Sequence, residues 1–147
     1  MRKKTMKVRV KKLVEEAQLP QYATPGAACF DLYAANGAFF RPGDIVKVHT
    51  GLAFEIPEGY VMLLFGRSGH ASKGLQLANC VGVIDSDYRG ELLAMLRNET
   101  DKPFTIEQGE RCAQAMIIPT FESTFEEVDQ LTSTQRGEGG FGSTGKL

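Results

Sequence analysis

The sequence predicts an all-β fold, jelly-roll or barrel-like, and three observations carry that expectation. Apolar residues recur at every second position over much of the chain, short apolar runs are closed off at brief intervals by Gly, Pro, Asn or Asp, and helical periodicity is scarce. With 147 residues, 42% hydrophobic and 24% charged, the chain has material for one core, so a single domain is expected, with at most one short helix. Val8 and Val10 alternate with Lys7, Arg9 and Lys11, which reads as a half-buried strand. Val46, Val48, Leu52, Phe54 and Ile56 share one face of a second strand, with Lys47, His49 and Glu55 on the other. Pro57-Glu58-Gly59 is a turn signal, and YVMLLF at 60–65 has the length and composition of a strand buried on both faces. Those two strands are expected to form a hairpin. Further short strands are expected at 75–78, 81–84, 91–97, 104–106 and 113–118.

VKKLVEEAQL (10–19) and FEEVDQL (125–131) could each make two helical turns by propensity, yet neither is capped at both ends, so strand or coil is expected there. RSGHASKG (67–74) can form one helical turn after a tight loop, because Ser68 and Gly69 suit a helix start. Beyond Gln130 the composition changes to LTSTQRGEGGFGSTGKL, which offers only Leu131, Phe141 and Leu147 for burial. Residues 1–130 are therefore expected to form the β domain, and residues 131–147 a flexible arm that orders on a partner or ligand.

Charge and composition exclude several function classes. A net charge of −1 leaves no excess of cations to hold a nucleic-acid backbone. The longest apolar run, 60–65, is far short of the ~18 residues of a membrane span, and the basic start MRKKTMKVRVKKL has no apolar stretch after it to make a signal peptide. A cytoplasmic location with no membrane or nucleic-acid partner is expected. Cys29, Cys80 and Cys112 are odd in number, widely spaced and without a C-x-x-C pair, so they read as small buried apolar residues and not as a disulfide framework or zinc knuckle. With only His49 and His70 available, hydrolytic chemistry would run on carboxylates and a metal carried by the substrate.

Sixteen glycines exceed the ~7% average, and they concentrate at a few places. Gly140 to Lys146 satisfies G-x-x-x-x-G-K, but Leu147 stands where a magnesium-binding hydroxyl belongs, no helix follows and no strand precedes, so the phosphate-loop reading fails. What remains is a composition suited to a lid over an aromatic phosphorylated ligand. Arg136 brings forked donors, Gly139, Gly140 and Gly142 allow close backbone approach, Ser143 and Thr144 add hydroxyls, and Phe141 can stack. GRSG (66–69), with Arg67 and the Ser68 hydroxyl, can receive a phosphate or be a plain surface turn. In NCVGVIDSDYRGEL (79–92), Gly82 and Gly90 bracket what looks like a hairpin. Asp85 and Asp87 there either share a face and couple or are sent by the turn to different neighbours. Asp31, set among apolar residues in LPQYATPGAACFDLYAA, needs Arg, amides or a metal-bound water beside it.

Taken together, LPQYATPGAACFDLYA, GRSG, NCVGVIDSDYRGEL, RCAQAMI and RGEGGFGSTG stand in the order and approximate spacing of five motifs, from Leu19 to Gly145. In this the sequence resembles the homotrimeric deoxyuridine triphosphate pyrophosphatases (dUTPases). The resemblance implies a distorted, β-clip-like relative of the jelly roll, a homotrimer whose three active sites are each assembled from different subunits, a need for Mg²⁺, and cleavage of dUTP to dUMP and diphosphate. That reaction would limit uracil incorporation into DNA and supply dUMP for dTTP synthesis.

Carried over position by position, the resemblance makes Asp85 the carboxylate that holds and deprotonates the attacking water, a role one carboxylate can fill when donors and a metal stabilise the leaving group. Arg67, Ser68, Gly69 and Gln114 match phosphate-contacting positions, and Arg136, Gly142, Ser143 and Thr144 match the arm over the β- and γ-phosphates. Mg²⁺ would ride on the triphosphate and meet Asp31 through water. Asn79 and the backbone of Val83 and Ile84 would read the uracil edge, with Leu93 closing the pocket, Phe141 covering the ring and Tyr88 beneath the sugar. Two positions depart from the family pattern: Cys29 replaces a usual Gly, and His70 a more usual Leu. His70 is expected to be a partly exposed packing residue and His49 a strand residue on the polar face. A dCTP deaminase of the same fold would instead release ammonia, but the VIDSDYRG stretch with Tyr88 and the arm with Phe141 favour the pyrophosphatase. Asp85 and Arg136 argue against a catalytically inactive nucleotide-binding β protein.

Overall fold

A computed structural model describes residues 4–145. Its strands are β1 (Arg9–Lys12), β2 (Phe30–Tyr33), β3 (Ala38–Phe40), β4 (Ile45–Glu55), β5 (Tyr60–Phe65), β6 (Leu75–Leu77), β7 (Gly82–Ile84), β8 (Glu91–Asn98), β9 (Phe104–Ile106) and β10 (Arg111–Pro119), and one short helix, α1 (Ser68–Ala71), follows β5. They form three antiparallel sheets, ordered β1-β4-β8-β6, β2-β10-β5-β7 and β3-β9, a distorted jelly roll. Leu32, Met62 and Leu64 from one large sheet and Val48, Leu52 and Leu96 from the other share a single core. No helix among the described residues is long and apolar enough to cross a membrane.

β8 forms where a strand was expected, and in it Leu92, Ala94, Leu96 and Asn98 are buried in alternation. In β4 the alternation fails after His49, and residues 50–54 are all buried. The cause is a bulge: pairing passes from His49↔Leu93 to Ala53↔Glu91, so Thr50, Gly51 and Leu52 face Leu92 alone. Side chains and a neighbouring segment supply partners at the bulge. The Thr50 hydroxyl donates to the Leu92 carbonyl at 2.6 Å and accepts from the Leu52 N–H at 3.3 Å. The Gly51 N–H donates to the Glu91 carboxylate at 2.9 Å, and its carbonyl accepts from the Leu13 N–H at 2.7 Å. Only glycine suits the position, because φ is +66° and a Cβ would lie 2.6 Å from Val14 Cγ2.

Several expectations need correction. The turn after β4 exists, with the Tyr60 N–H donating to the Pro57 carbonyl at 3.2 Å, but β4 and β5 are not a hairpin. Both edges of β4 are occupied by β1 and β8, and both edges of β5 by β10 and β7, so the turn carries the chain between sheets. The same holds at 85–90, which joins β7 in one sheet to β8 in the other instead of closing a hairpin. β5 is buried at Met62 and Leu64 but only half-buried at Val61, Leu63 and Phe65, so it too alternates. β2 and β3 lie where no strand was expected. Cys112 is buried and Cys29 partly so, but Cys80 is exposed in a left-handed turn at φ +62° and is not a core residue. The 10–19 and 125–131 segments contain no helix, and α1 is the one turn expected within 67–74, with Arg67 and not Ser68 at its cap. Residues 118–138 are exposed throughout, and the hydrogen bonds of 134–145 stay within that segment; Lys146 and Leu147, the end of the expected arm and of the rejected phosphate loop, lie outside the described residues.

Candidate active site

Six of the candidate residues meet in one place. A cavity of about 220 Å³ between the end of β7 and the start of β8 is lined by Asn79, Val83, Ile84, Asp85, Tyr88 and Leu93, with Gly82 and Glu91 beside them. β7 is the outer strand of its sheet, so half of its backbone donors and acceptors face away from β5 and are available to a ligand. At Gly82 a Cβ would come within 2.9 Å of Leu64 Cβ, so the close approach of β7 to β5 that shapes the cavity wall requires glycine. The 85–90 loop folds on the Tyr88 N–H, which donates to the Asp85 carbonyl at 3.2 Å. The Tyr88 hydroxyl donates to the Glu91 carbonyl at 2.9 Å, and its ring lies where a Cβ on Gly90 would stand. Asp85 also borders a larger open cavity, of about 820 Å³, that Asp87 lines with Ser86 and Arg89; Asp87 does not line the smaller one. The two carboxylates thus share the larger cavity, and Asp85 alone of the pair reaches the smaller one.

A second group gathers where β5 ends. Pairing aligns Asp31 of β2, Gln114 of β10 and Phe65 of β5 across one sheet, which brings Arg67, Ser68 and Gly69 next to Asp31 and Gln114. The Gln114 amide donates to the Gly66 carbonyl at 2.9 Å and holds the loop. The Asp31 carboxylate, 13% exposed, lies 3.7 Å from Arg67 Nε and 3.4 Å from Arg111 Nε. It therefore has the arginine compensation that its burial demands. Ser68 and Gly69 are exposed. His70 packs edge-on against Phe104 at 6.0 Å, a packing role as expected, and its imidazole pKa is held below the usual value by burial first, then by Arg67 and Lys73 against the opposing pull of Glu110. Burial, with the Asp31 charge, raises the Cys29 thiol above its ordinary pKa.

The third group lies in the C-terminal segment. Arg136 Nε donates to the Gly139 carbonyl at 2.9 Å, whose N–H donates to the Arg136 carbonyl at 3.0 Å. Phe141 and Gly142 take left-handed backbone at φ +51° and +87°, the Ser143 N–H donates to the Gly140 carbonyl at 3.0 Å, and the Phe141 ring and Thr144 are exposed. None of the second or third group lines the 220 Å³ cavity.

Two residues that matter to this geometry escape a reading of the sequence. Arg111 pairs with Asp31 from a strand 80 positions away, and the one signal for it is the demand of a lone buried carboxylate for a cation. Glu91 crosses to Gly51 and to His49, which is exposed on the polar face of β4 as expected. For a metal, the described residues contain no group of three or more His, Cys, Asp or Glu that could hold one. A single carboxylate between two guanidinium groups does not chelate a bare ion, but it suits a hydrated hard cation delivered on an anionic ligand.

The dUTPase family profile matches residues 15–145. The deoxyuridine 5'-triphosphate nucleotidohydrolase of Desulfitobacterium hafniense is 54% identical over 132 residues, covering 87% of each chain. That of Nautilia profundicola is 47% identical over 142 residues, covering 96% of this chain and all of the relative. Among solved structures, the dUTPase of Staphylococcus bacteriophage 80alpha with dUPNHPP superposes with a TM-score of 0.89 at 31% identity, covering 96% of this chain and 99% of that one. A mutant dUTPase from phage phi11 of S. aureus, in a structure concerned with coordination of a structural Mg(II) ion, has a TM-score of 0.81 at 26% identity, covering 87% of this chain and 100% of that one.

Proposed function

Because the chain belongs to the dUTPase family, we propose that it hydrolyses dUTP to dUMP and diphosphate with Mg²⁺ as cofactor. The observation that carries the reading is the 220 Å³ cavity, in which Asn79, Val83, Ile84, Asp85, Tyr88 and Leu93 converge. Asp85 takes a proton from a water held in line with the α-phosphorus. The new bond joins that oxygen to phosphorus as the bond to the β-phosphate bridging oxygen breaks. Arg67, Ser68, Gly69 and Gln114 donate to the phosphates, and Arg136, Gly142, Ser143 and Thr144 close over the β- and γ-groups. Asp31 is the residue that would hold a hydrated Mg²⁺, and the ion, when bound, would neutralise charge on the triphosphate.

Selectivity follows from the cavity walls. Asn79 and the free edge of β7 at Val83 and Ile84 pair with uracil, Leu93 closes the pocket and Phe141 stacks on the ring. Cytosine exchanges donor and acceptor at one edge and would leave buried polar groups unpaired, which can cost a factor of ~10⁴. Tyr88 beneath the sugar leaves no space for a 2′-hydroxyl, and a tight fit at C5 excludes the thymine methyl.

The reading includes a homotrimer with sites shared between subunits. Its support is the separation within one chain: the Arg67 group does not line the nucleotide cavity, and the 131–145 segment keeps its hydrogen bonds to itself while Phe141 is exposed. A flexible arm over 131–147 then closes on a neighbour's site. The enzyme acts in the cytoplasm without nucleic-acid or membrane partners, where it limits uracil incorporation into DNA and supplies dUMP for dTTP synthesis.

Incubation with dUTP, dCTP, dTTP and UTP in the presence of Mg²⁺, with diphosphate and ammonia measured separately, tests this. Diphosphate is expected from dUTP and little from the other three. Ammonia from dCTP without diphosphate would make the protein a deaminase, and neither product would make it a binding protein.

A further inference from the structure

We propose that Glu91 is a positioning residue that sets the sugar selectivity of the nucleotide cavity by holding Tyr88 and the start of β8 in place. The inference rests on the reading above that Tyr88 packs beneath the deoxyribose. Glu91 opens β8, where it pairs with Ala53 of β4, and it makes three further contacts. One carboxylate oxygen accepts the Gly51 N–H at 2.9 Å, the other lies 3.0 Å from His49 Nδ1, and the backbone carbonyl accepts the Tyr88 hydroxyl at 2.9 Å. The side chain therefore ties the first residue of β8 to the β4 bulge, and the main chain of the same residue anchors the phenol.

Burial does little to fix the ring. Tyr88 is 45% exposed and sits in a loop whose residues 87–90 are exposed, with its ring against the backbone of Gly90. Gly51, by contrast, is buried, so its N–H depends on the Glu91 carboxylate for an acceptor. With that acceptor removed, the bulge must rearrange to satisfy the N–H, and the Glu91 carbonyl that holds Tyr88 moves with it. A ring displaced by on the order of 1 Å opens room for the hydroxyl that distinguishes a ribonucleotide, since positioning to that tolerance is what selectivity requires. The attachments are geometric and do not need the charge. A glutamine keeps an oxygen for the Gly51 N–H and an amide that donates to an unprotonated His49 Nδ1.

The test is kcat/KM for dUTP and for UTP in the wild-type protein, Y88A, Y88F, E91A and E91Q. The preference for dUTP is expected to narrow in Y88A, to narrow on the order of tenfold in E91A and severalfold in Y88F, and to return in E91Q to within about twofold of wild type. A merely structural role would lower both rates together and leave their ratio alone. An unchanged ratio in E91A, with Y88A narrowed, overturns the inference while the Tyr88 reading stands; an unchanged ratio in Y88A overturns both. E91Q behaving like E91A would also overturn the geometric role. Should E91A not fold, Y88F breaks the same link from the other side, and an unchanged ratio there overturns the inference.

Discussion

Asp85→Asn is expected to bind dUTP with nearly normal affinity and to turn it over at least ~10²-fold more slowly, the usual contribution of a general base. Asparagine has the shape of aspartate but cannot accept the proton of the attacking water at neutral pH. The fold should tolerate the change, because Asp85 is exposed and its turn is held through its backbone carbonyl, which accepts the Tyr88 N–H, and not through its side chain. Single-turnover rates beside an equilibrium binding titration separate the two effects. A nearly normal single-turnover rate would remove Asp85 from the mechanism, and a large loss of affinity would assign it to substrate binding instead.

On the proposed reading, deletion of residues 136–147 is expected to leave a folded trimer whose activity is lower by on the order of 10²-fold or more, since the proposed phosphate clamp and stacking ring leave together. Apart from the Gly137 N–H, which donates to the Thr134 hydroxyl, the hydrogen bonds of residues 136–145 are internal, and Phe141 is fully exposed. Sedimentation and thermal unfolding measure the assembly, and diphosphate release measures the activity. Loss of the folded trimer on truncation would make the segment structural, and full activity would remove it from the site.

The parts of the fold legible in the sequence are those encoded by local patterns. Alternation marks β1 and β4, a short apolar run marks β8, and Gly, Pro, Asn or Asp marks the turns that bound them. Partner choice is not local. The turns at 57–59 and 85–90 look like hairpins because they join two adjacent strands, yet the strands on each side are claimed by partners distant in sequence, and nothing near Gly59 or Gly90 records that. β2 is hidden in an apolar stretch interrupted by Asp31, and three-residue β3 is too short to show a period. The bulge at Gly51 is invisible for a related reason: a seemingly uniform strand is broken by contacts 40 and 42 positions away.

The candidate site divides the same way. Asn79 through Leu93 form one cavity because they are near neighbours in sequence as well as in space. Arg111 and Glu91 act across strands, and their significance appears only once β10 is paired with β2 and β8 with β4. Asp31 is the intermediate case. Its burial among apolar residues signals that a cation must stand nearby, without saying which of seventeen it is.

The three thiols differ in a way that bears on chemical labelling. Burial drives Cys112 up to about 12, and its thiol donates to the Leu32 carbonyl at 3.6 Å, so almost no nucleophilic thiolate forms there near neutrality. Cys29 is disfavoured in the same direction. Cys80 alone is exposed, and it adjoins Asn79, which lines the 220 Å³ cavity. A maleimide dye added to the unmodified enzyme would thus attach chiefly at one point, next to that cavity, without any engineered cysteine.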